Sequence, residues 1–283
     1  MPDMSGYAIP NTLDDVLGLI ATGEWRVLAG GTDLYPAHVD AVVQDNILDI
    51  SRIGSLAGIS RTDKHWRIGA STTWMDVIEA DFPTAFDGLK EAAREVGGEQ
   101  IQNVGTLAGN LCNASPAADG VPPLLTLEAV VELSSTKGVR EIPLSAFIRG
   151  NRQTAIRPDE LMTAIIIPCD RDDSRTRFLK LGARKYLVIS IVMVSTLVDV
   201  STSGEIQEAR VAVGSCSGVA QRLLSLEKAL LGQPSSIDLS SFVERQHLSL
   251  LSPIDDVRAS ADYRLDAAEE LIRRALADCL RDF

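Results

Sequence analysis

Two glycine-bearing segments carry the residue types that could hold a ligand: Val27-Leu-Ala-Gly-Gly-Thr-Asp-Leu34 and Gly105-Thr-Leu-Ala-Gly-Asn-Leu-Cys-Asn-Ala-Ser-Pro-Ala-Ala-Asp119. In the first, Gly30 and Gly31 tolerate positive φ and leave no Cβ between backbone N–H groups and a ligand. Successive N–H groups in such a turn form a concave anion site, and Thr32 adds a hydroxyl. Asp33 is ill suited to face a phosphate, so it is expected to order the loop through backbone hydrogen bonds. Taken alone, this segment is equally well read as a strand-to-helix turn with two glycines. In the second segment, Thr106, Asn110, Asn113 and Ser115 supply polar groups around Gly105 and Gly109, and Pro116 fixes the chain direction. Asp119 could accept from ligand hydroxyls such as a ribityl chain or a ribose. This stretch lacks the charge of a solvated loop, which favours a ligand over self-satisfied side chains. The pair points to one extended polyanionic ligand held from two sides.

Other chemistries are weaker. No Gly-x-Gly-x-x-Gly follows a strand and no Gly-x-x-x-x-Gly-Lys-Ser/Thr occurs, which disfavours a Rossmann dehydrogenase or a P-loop ATPase. Cys112, Cys169, Cys216 and Cys279 are scattered and form no Cys-x-x-Cys pair, and His38, His65 and His247 are far apart. Local spacing therefore provides neither a zinc site nor an iron–sulfur cluster. Gly214-Ser-Cys-Ser-Gly218 fits a nucleophile elbow after a β-rich run, with Asp238 and His247 following in order. A thiol hydrolase using Cys216 is thus one reading. The spacing leaves too little chain for the remaining strands of an α/β hydrolase, so a glycine-rich connection with a buried thiol is preferred.

These segments must be positioned by surrounding elements. Thr12 and Asp15 resemble a capping box, and Leu13, Val16, Leu17 and Ile20 then fall on one helical face that Gly23 can end. Arg26–Ala29 reads as a short buried strand entering the first glycine segment, and Asn46–Ile50 as another. Trp66–Ala70 is a strand, with helices over Thr73–Ala80 and Phe86–Val96. Pro122–Leu127 starts a helix, Ala129–Leu133 is a strand, Ser135–Gly138 a turn, and Glu160–Ile167 is extended. Pro168 and the charged stretch Asp170–Arg177 form the best linker candidate. Beyond it, Ser190–Val200 and Ile206–Val213 are β-rich, joined by a hairpin turn at Ser201–Gly204. Helices follow at Leu223–Leu231, ended by Gly232, and at Asp266–Leu280.

The chain of 283 residues is long enough for two domains. Its formal charge of −12 argues against a nucleic-acid or anionic-membrane partner. The N-terminus has no basic region or apolar core, and the run from Tyr186 to Val200 is too short and too polar to span a bilayer. The expected location is cytoplasmic.

Val27–Leu34 and Thr106–Asp119 resemble the paired flavin-binding segments of the FAD (medium) subunit of the molybdenum hydroxylases, the xanthine dehydrogenase and carbon monoxide dehydrogenase family. Arg177-Phe-Leu-Lys-Leu-Gly-Ala-Arg-Lys185 with Ile189-Ser-Ile191 resembles the start of that family's C-terminal flavoprotein domain. Ser252-Pro-Ile-Asp-Asp-Val-Arg-Ala-Ser-Ala-Asp-Tyr-Arg264 resembles its late signature. The four matches occur in order and cover nearly the whole chain. Where the family often has Gly, this chain has Ala108.

The resemblance implies an α+β fold. A two-subdomain FAD-binding domain of the vanillyl-alcohol-oxidase (PCMH) type would occupy residues 1–172, with subdomains of about 1–55 and 56–172. A CO-dehydrogenase-flavoprotein-like α+β domain would occupy 173–283. It also implies site roles. Leu28, Ala29, Gly30, Gly31, Thr32, Asp33 and Leu34 would wrap the FAD pyrophosphate. Thr106, Leu107, Ala108, Gly109 and Asn110 would contact flavin and pyrophosphate from the other side. Asp119 would bond polar groups of the cofactor, Met162 would make an apolar contact to the flavin, and Lys180 a cationic one. Arg184 and Lys185 face either the isoalloxazine or a partner. No catalytic acid or base and no metal ligand is implied in this chain. The implied partners are a molybdopterin-binding large subunit, a small subunit with two [2Fe–2S] clusters, and an electron acceptor such as NAD. The implied function is electron transfer through FAD in a molybdopterin-dependent dehydrogenase. A self-contained oxidase of the vanillyl-alcohol type, the thiol hydrolase and a non-catalytic scaffold remain as alternatives.

Overall fold

The computed structural model describes residues 6–36 and 45–280; His38 lies outside them. Three sheets follow one another along the chain. In the first, β1 (Tyr7–Ala8), β3 (Ile47–Asp49) and β2 (Arg26–Leu28) pair parallel in that order. Parallel strands need a crossover, and α1 (Leu13–Thr22) carries the chain from β1 to β2, which flank β3. α1 buries Val16, Leu17 and Ile20 against Leu48, Ile50, Ile53, Leu56 and Leu161. The Thr12 hydroxyl accepts from the Asp15 N–H at 3.2 Å and donates to the Asp15 carboxylate at 2.6 Å. That is half a capping box; a complete one is formed by Thr73 and Asp76, at the start of α2 (Trp74–Glu79). Gly23 ends α1 in extended backbone, φ −155°. β2 is less buried than its sequence suggests: as an edge strand it encloses only Leu28.

The second sheet is antiparallel, in the order β4 (Ile59–Arg61), β5 (His65–Gly69), β10 (Leu161–Pro168), β6 (Val130–Ser135), β7 (Gly138–Pro143). A small hairpin of β8 (Ile148–Gly150) and β9 (Gln153–Thr154) lies beside it in sequence. β10 is the central strand, which explains its unbroken apolar run. α3 (Asp87–Glu95), α5 (Leu107–Asn113), α6 (Val121–Thr126) and α7 (Leu144–Phe147) share its core through Leu89, Leu107, Leu111, Leu124 and Phe147. In that core Phe82 stacks on Phe86 at 4.2 Å, and Trp66 meets both rings edge-on.

The second glycine segment is not the long loop suggested by its composition. After the single turn α4 (Glu99–Gln102), residues 107–113 form α5. Gly109, Asn110 and Asn113 are weak helix formers. Burial of Leu107, Ala108 and Leu111 overrides that weakness, and the Thr106 hydroxyl caps the helix by accepting from the Gly109 N–H at 3.0 Å.

The third sheet is an antiparallel array of β11 (Arg175–Leu181), β12 (Val192–Val200), β13 (Ile206–Gly214) and β14 (Gln221–Arg222). α8 (Leu224–Leu230) and α9 (Ala261–Leu280) close its core through Leu226, Leu230, Ile272 and Leu276. α9 starts earlier than its apolar stripe suggests, because the Asp255 carboxylate accepts from the Ala261 N–H at 2.5 Å. The hairpin turn after β12 uses Gly204 at φ +82°.

Residues 170–177 are not a free linker. Asp172 accepts from Trp66 Nε1 at 3.0 Å and Arg61 at 2.9 Å. The Thr176 hydroxyl accepts from the Gly88 N–H at 2.9 Å, and Glu91 accepts from the Phe178 N–H at 2.7 Å. β11 thereby packs on α3. Among the described residues, no helix is long and apolar enough to cross a membrane, and no group of three or more His, Cys, Asp or Glu could hold a metal ion.

Two outcomes follow from this packing. Phe86 is fully buried, so Phe86→Ala is expected to lower unfolding free energy by about 3–5 kcal/mol, read by urea denaturation. The late signature gives a pH dependence. Asp256 accepts from the Arg258 and Ala259 N–H groups and from the buried Arg264 at 2.7 Å. Chiefly the Arg258 N–H, with help from Arg264, lowers its carboxyl from 3.8 to about 2. A depressed acid stabilises the fold above its unfolded value, and that stability is lost as pH falls from 3.8 towards 2. Asp256→Asn should flatten the stability profile over that interval, relative to the parent chain, in urea titrations at pH 5 and pH 3.

Candidate functional site

The two glycine segments meet. A Cβ on Gly30 would lie 1.9 Å from the Val104 carbonyl oxygen and 2.9 Å from Gly105 Cα, so only glycine permits this contact. Gly31 has a different reason: its φ is +68°, and a Cβ there would strike the Tyr35 ring at 2.6 Å. Gly105 is held on the other side. Its N–H donates to Ile101 at 2.7 Å and its carbonyl accepts from the Trp74 N–H at 3.0 Å. Thr32 Oγ1 stands 3.4 Å from the Cβ position of Gly105. Leu28 and Leu34 anchor the turn by packing on Ile47.

The N–H groups of Gly30, Gly31, Thr32 and Asp33 donate to no acceptor among the described residues. Backbone donors are almost always paired when buried. Four successive half-buried or exposed donors, turned through a left-handed glycine, make a set suited to a polyanion. Asp33 makes none of the backbone bonds expected from its sequence position; its carboxylate is exposed and so remains hydrated beside the donors. Across the contact, Leu107 and Ala108 are buried and Gly109 is exposed. Asn110 Oδ1 accepts from the Gly120 N–H at 3.2 Å, tying α5 to the turn before α6.

Asp119 and Lys180, distant in sequence, are in direct contact. Lys180 Nζ donates to Asp119 Oδ2 at 2.8 Å and to the Glu95 carbonyl at 3.2 Å. Ser190 donates to Asp119 Oδ1 at 2.6 Å. Burial pushes the Asp119 carboxyl up, and the Lys180 charge and the two hydrogen bonds oppose that rise. Both oxygens are thus engaged, and only their remaining lone pairs are open to ligand hydroxyls. Lys180 lines a cleft of about 490 Å³ with Glu95, Gly182, Arg184, Lys185 and Val188. Arg184 donates to the Leu187 carbonyl, and Lys185 sits 5.1 Å from the Tyr186 ring centre, so both are committed to their own exposed loop. Met162 lies on β10, paired with Leu133 beside a register shift, in the same core as Leu107 and Leu111.

Trp74, Val104 and Ser190 complete the arrangement and carry no sequence signal for it. The Trp74 ring fills the gap between Gly105 and Gly120, 3.4 Å and 2.8 Å from their Cβ positions. Val104 contributes only a carbonyl, and Ser190 is one serine ahead of an apolar run. Its hydroxyl is legible only once β11 and β12 are folded.

The elbow at Gly214–Gly218 is not a nucleophile site. Cys216 is fully buried in the core under α9, burial pushes its thiol up to about 12, and its partner is the Arg264 carbonyl at 3.9 Å. His247 Nδ1 accepts from the Glu244 N–H instead.

Comparison with known proteins agrees with this geometry. Residues 3–170 match the family described as FAD binding domain in molybdopterin dehydrogenase, and residues 177–279 match the CO dehydrogenase flavoprotein C-terminal domain. The chain is 30% identical to the nicotinate dehydrogenase FAD-subunit of Eubacterium barkeri, over 99% of this chain and 97% of that one. It is 28% identical to a putative xanthine dehydrogenase FAD-binding subunit of Escherichia coli K12, with the same coverage. Among solved structures, carbon monoxide dehydrogenase from Hydrogenophaga pseudoflava superposes with a TM-score of 0.89 at 25% identity, covering 98% of this chain and 97% of that one. With the glycine contact, the unpaired donors and both family matches in place, the chain belongs to the molybdenum hydroxylase family as an FAD-binding flavoprotein subunit.

Proposed function

We propose that this chain is the electron-transfer subunit of a molybdopterin-dependent dehydrogenase. It takes electrons from the [2Fe–2S] clusters of a small partner and passes them to NAD or another acceptor. A molybdopterin-binding large partner carries out the oxidation of the organic substrate. Residues 1–172 are the proposed cofactor-binding domain and 173–283 the proposed second domain. The observation that carries the reading is the row of unpaired amides at Gly30–Asp33, set against Val104 and Gly105.

When bound, FAD supplies the redox chemistry, accepting electrons singly and releasing them in pairs; the protein binds, orients and tunes it. Leu28–Leu34 are proposed to hold the pyrophosphate through backbone donors, with Thr106–Asn110 on the opposite side. Met162 is the proposed apolar contact to the flavin, and Lys180, held by Asp119, the cationic one. No proton transfer at the organic substrate is assigned to this chain. The buried Cys216 favours no hydrolase.

The purified chain is expected to take up FAD in equimolar amount, read as the flavin absorbance spectrum after desalting. Gly31→Val introduces a β-branched residue at φ +68° and should weaken FAD binding by tenfold or more, about 1.4 kcal/mol, with circular dichroism as the control for folding. Equal flavin occupancy in parent and variant would remove the assigned donor turn. Tagged full-length chain, purified from its own cells, should bring down proteins whose spectrum shows [2Fe–2S] clusters and which release a pterin. Recovery of the chain alone, flavin-loaded and oxidising substrate by itself, would instead support the self-contained oxidase.

A further inference from the structure

We infer that Ser190 is a positioning residue for the flavin site, acting through Asp119 on Lys180. The inference rests on the proposed contact between Lys180 and FAD. Its geometric basis is independent of that contact. Ser190 is 2% exposed, and its hydroxyl has one use: the 2.6 Å bond to Asp119 Oδ1. That bond leaves Oδ2 to Lys180, whose side chain is 5% exposed. Lys180 has three N–H donors. One goes to Asp119 and one to the Glu95 carbonyl. The third has no acceptor among the described residues, and the side chain borders the cleft.

The placement is mechanical as well as electrostatic. Lys180 and Ser190 stand at the two ends of the excursion between β11 and β12, closed by the bond from the Ile191 N–H to the Leu181 carbonyl at 2.8 Å. Asp119 bridges those ends. A rotation of its carboxylate would release Nζ from its fixed position. Burial raises the Asp119 carboxyl; the Lys180 charge and hydrogen bond oppose that rise, and the Ser190 hydroxyl adds to the opposition. The other charged groups bordering the cleft are Glu95, Arg184 and Lys185. Without the Ser190 hydroxyl, Asp119 takes up a proton more readily, and Lys180 faces the cleft with less compensation. A less compensated cation favours the more negative, reduced form of a neighbouring cofactor.

The test is the flavin midpoint potential of the full FAD-loaded chain, measured by equilibration with a reference dye. Ser190→Ala is expected to raise the potential, and Ser190→Thr, which keeps a hydroxyl, to restore the parent value. A folded Ser190→Ala chain with full flavin and an unchanged potential overturns the inference but leaves the FAD reading standing. If Ser190→Ala does not fold, Ser190→Cys fills the same space with a weaker donor and should shift the potential in the same direction; no shift there is equally negative. A parent chain that takes up no FAD overturns the proposed function, and this inference with it.

Discussion

Gly30 reaches the Val104 carbonyl only because nothing projects from its Cα. This single approach fixes the turn at Gly30–Asp33 against the start of α5, and much else follows from it. No hydrogen bond joins the turn's amides to the second segment, which meets Gly30 with the Val104 carbonyl and the Gly105 Cα. Gly31 is left-handed within that turn, a backbone state that suits an anion-binding turn. A larger residue at Gly30 would push the first sheet from the second. The same close fit accounts for Trp74, whose ring packs where Gly105 and Gly120 leave room.

The seam between the second and third sheets carries one buried ion pair, Asp119 with Lys180. Beside it, the buried Arg210 donates to the Thr126 carbonyl at 2.9 Å, and both Arg210 and Arg222 reach the exposed Glu128. A buried pair such as Asp119–Lys180 adds little stability beyond what apolar residues of equal volume would give, yet losing one partner is costly. Its effect is therefore to select one docking of the sheets. Apolar contacts alone, such as Ala92 on Phe178 and Met193, tolerate sliding; a lysine with two fixed acceptors does not.

Legibility in the sequence followed the range of the forces involved. α1 is read directly because its burial is periodic, and β10 and the β12–β13 hairpin because their apolar runs are long and bounded by turn residues. β4 and α4 are too short to show a period, and α5 is helical because of what Leu107 and Leu111 pack against. Gly30 and Gly31 are legible as types whose backbone freedom has a known use, whereas Thr106 reads from sequence only as a polar ligand group and its capping role shows in the fold. Met162 and Lys180 came only from the family resemblance, because no local pattern marks an isolated methionine in an apolar strand or one lysine in a β-run. Val104 and Ser190 could not be read at all. One acts through a carbonyl that every residue has, the other through a hydroxyl whose partner lies 71 positions away.

Each sheet unit contributes one part of the site. The donor turn leaves β2 of the first, Thr106–Asn110 and Asp119 belong to α5 and the turn after it on the second, and Lys180 and Ser190 come from the third. No unit could present the whole arrangement by itself, so its precision depends on the docking just described. A cofactor held by all three, as proposed, binds the docked state and not the separated units. By mass action it stabilises that state, by about 2.7 kcal/mol at a hundredfold excess over its Kd. Cofactor binding and domain docking are then a single equilibrium.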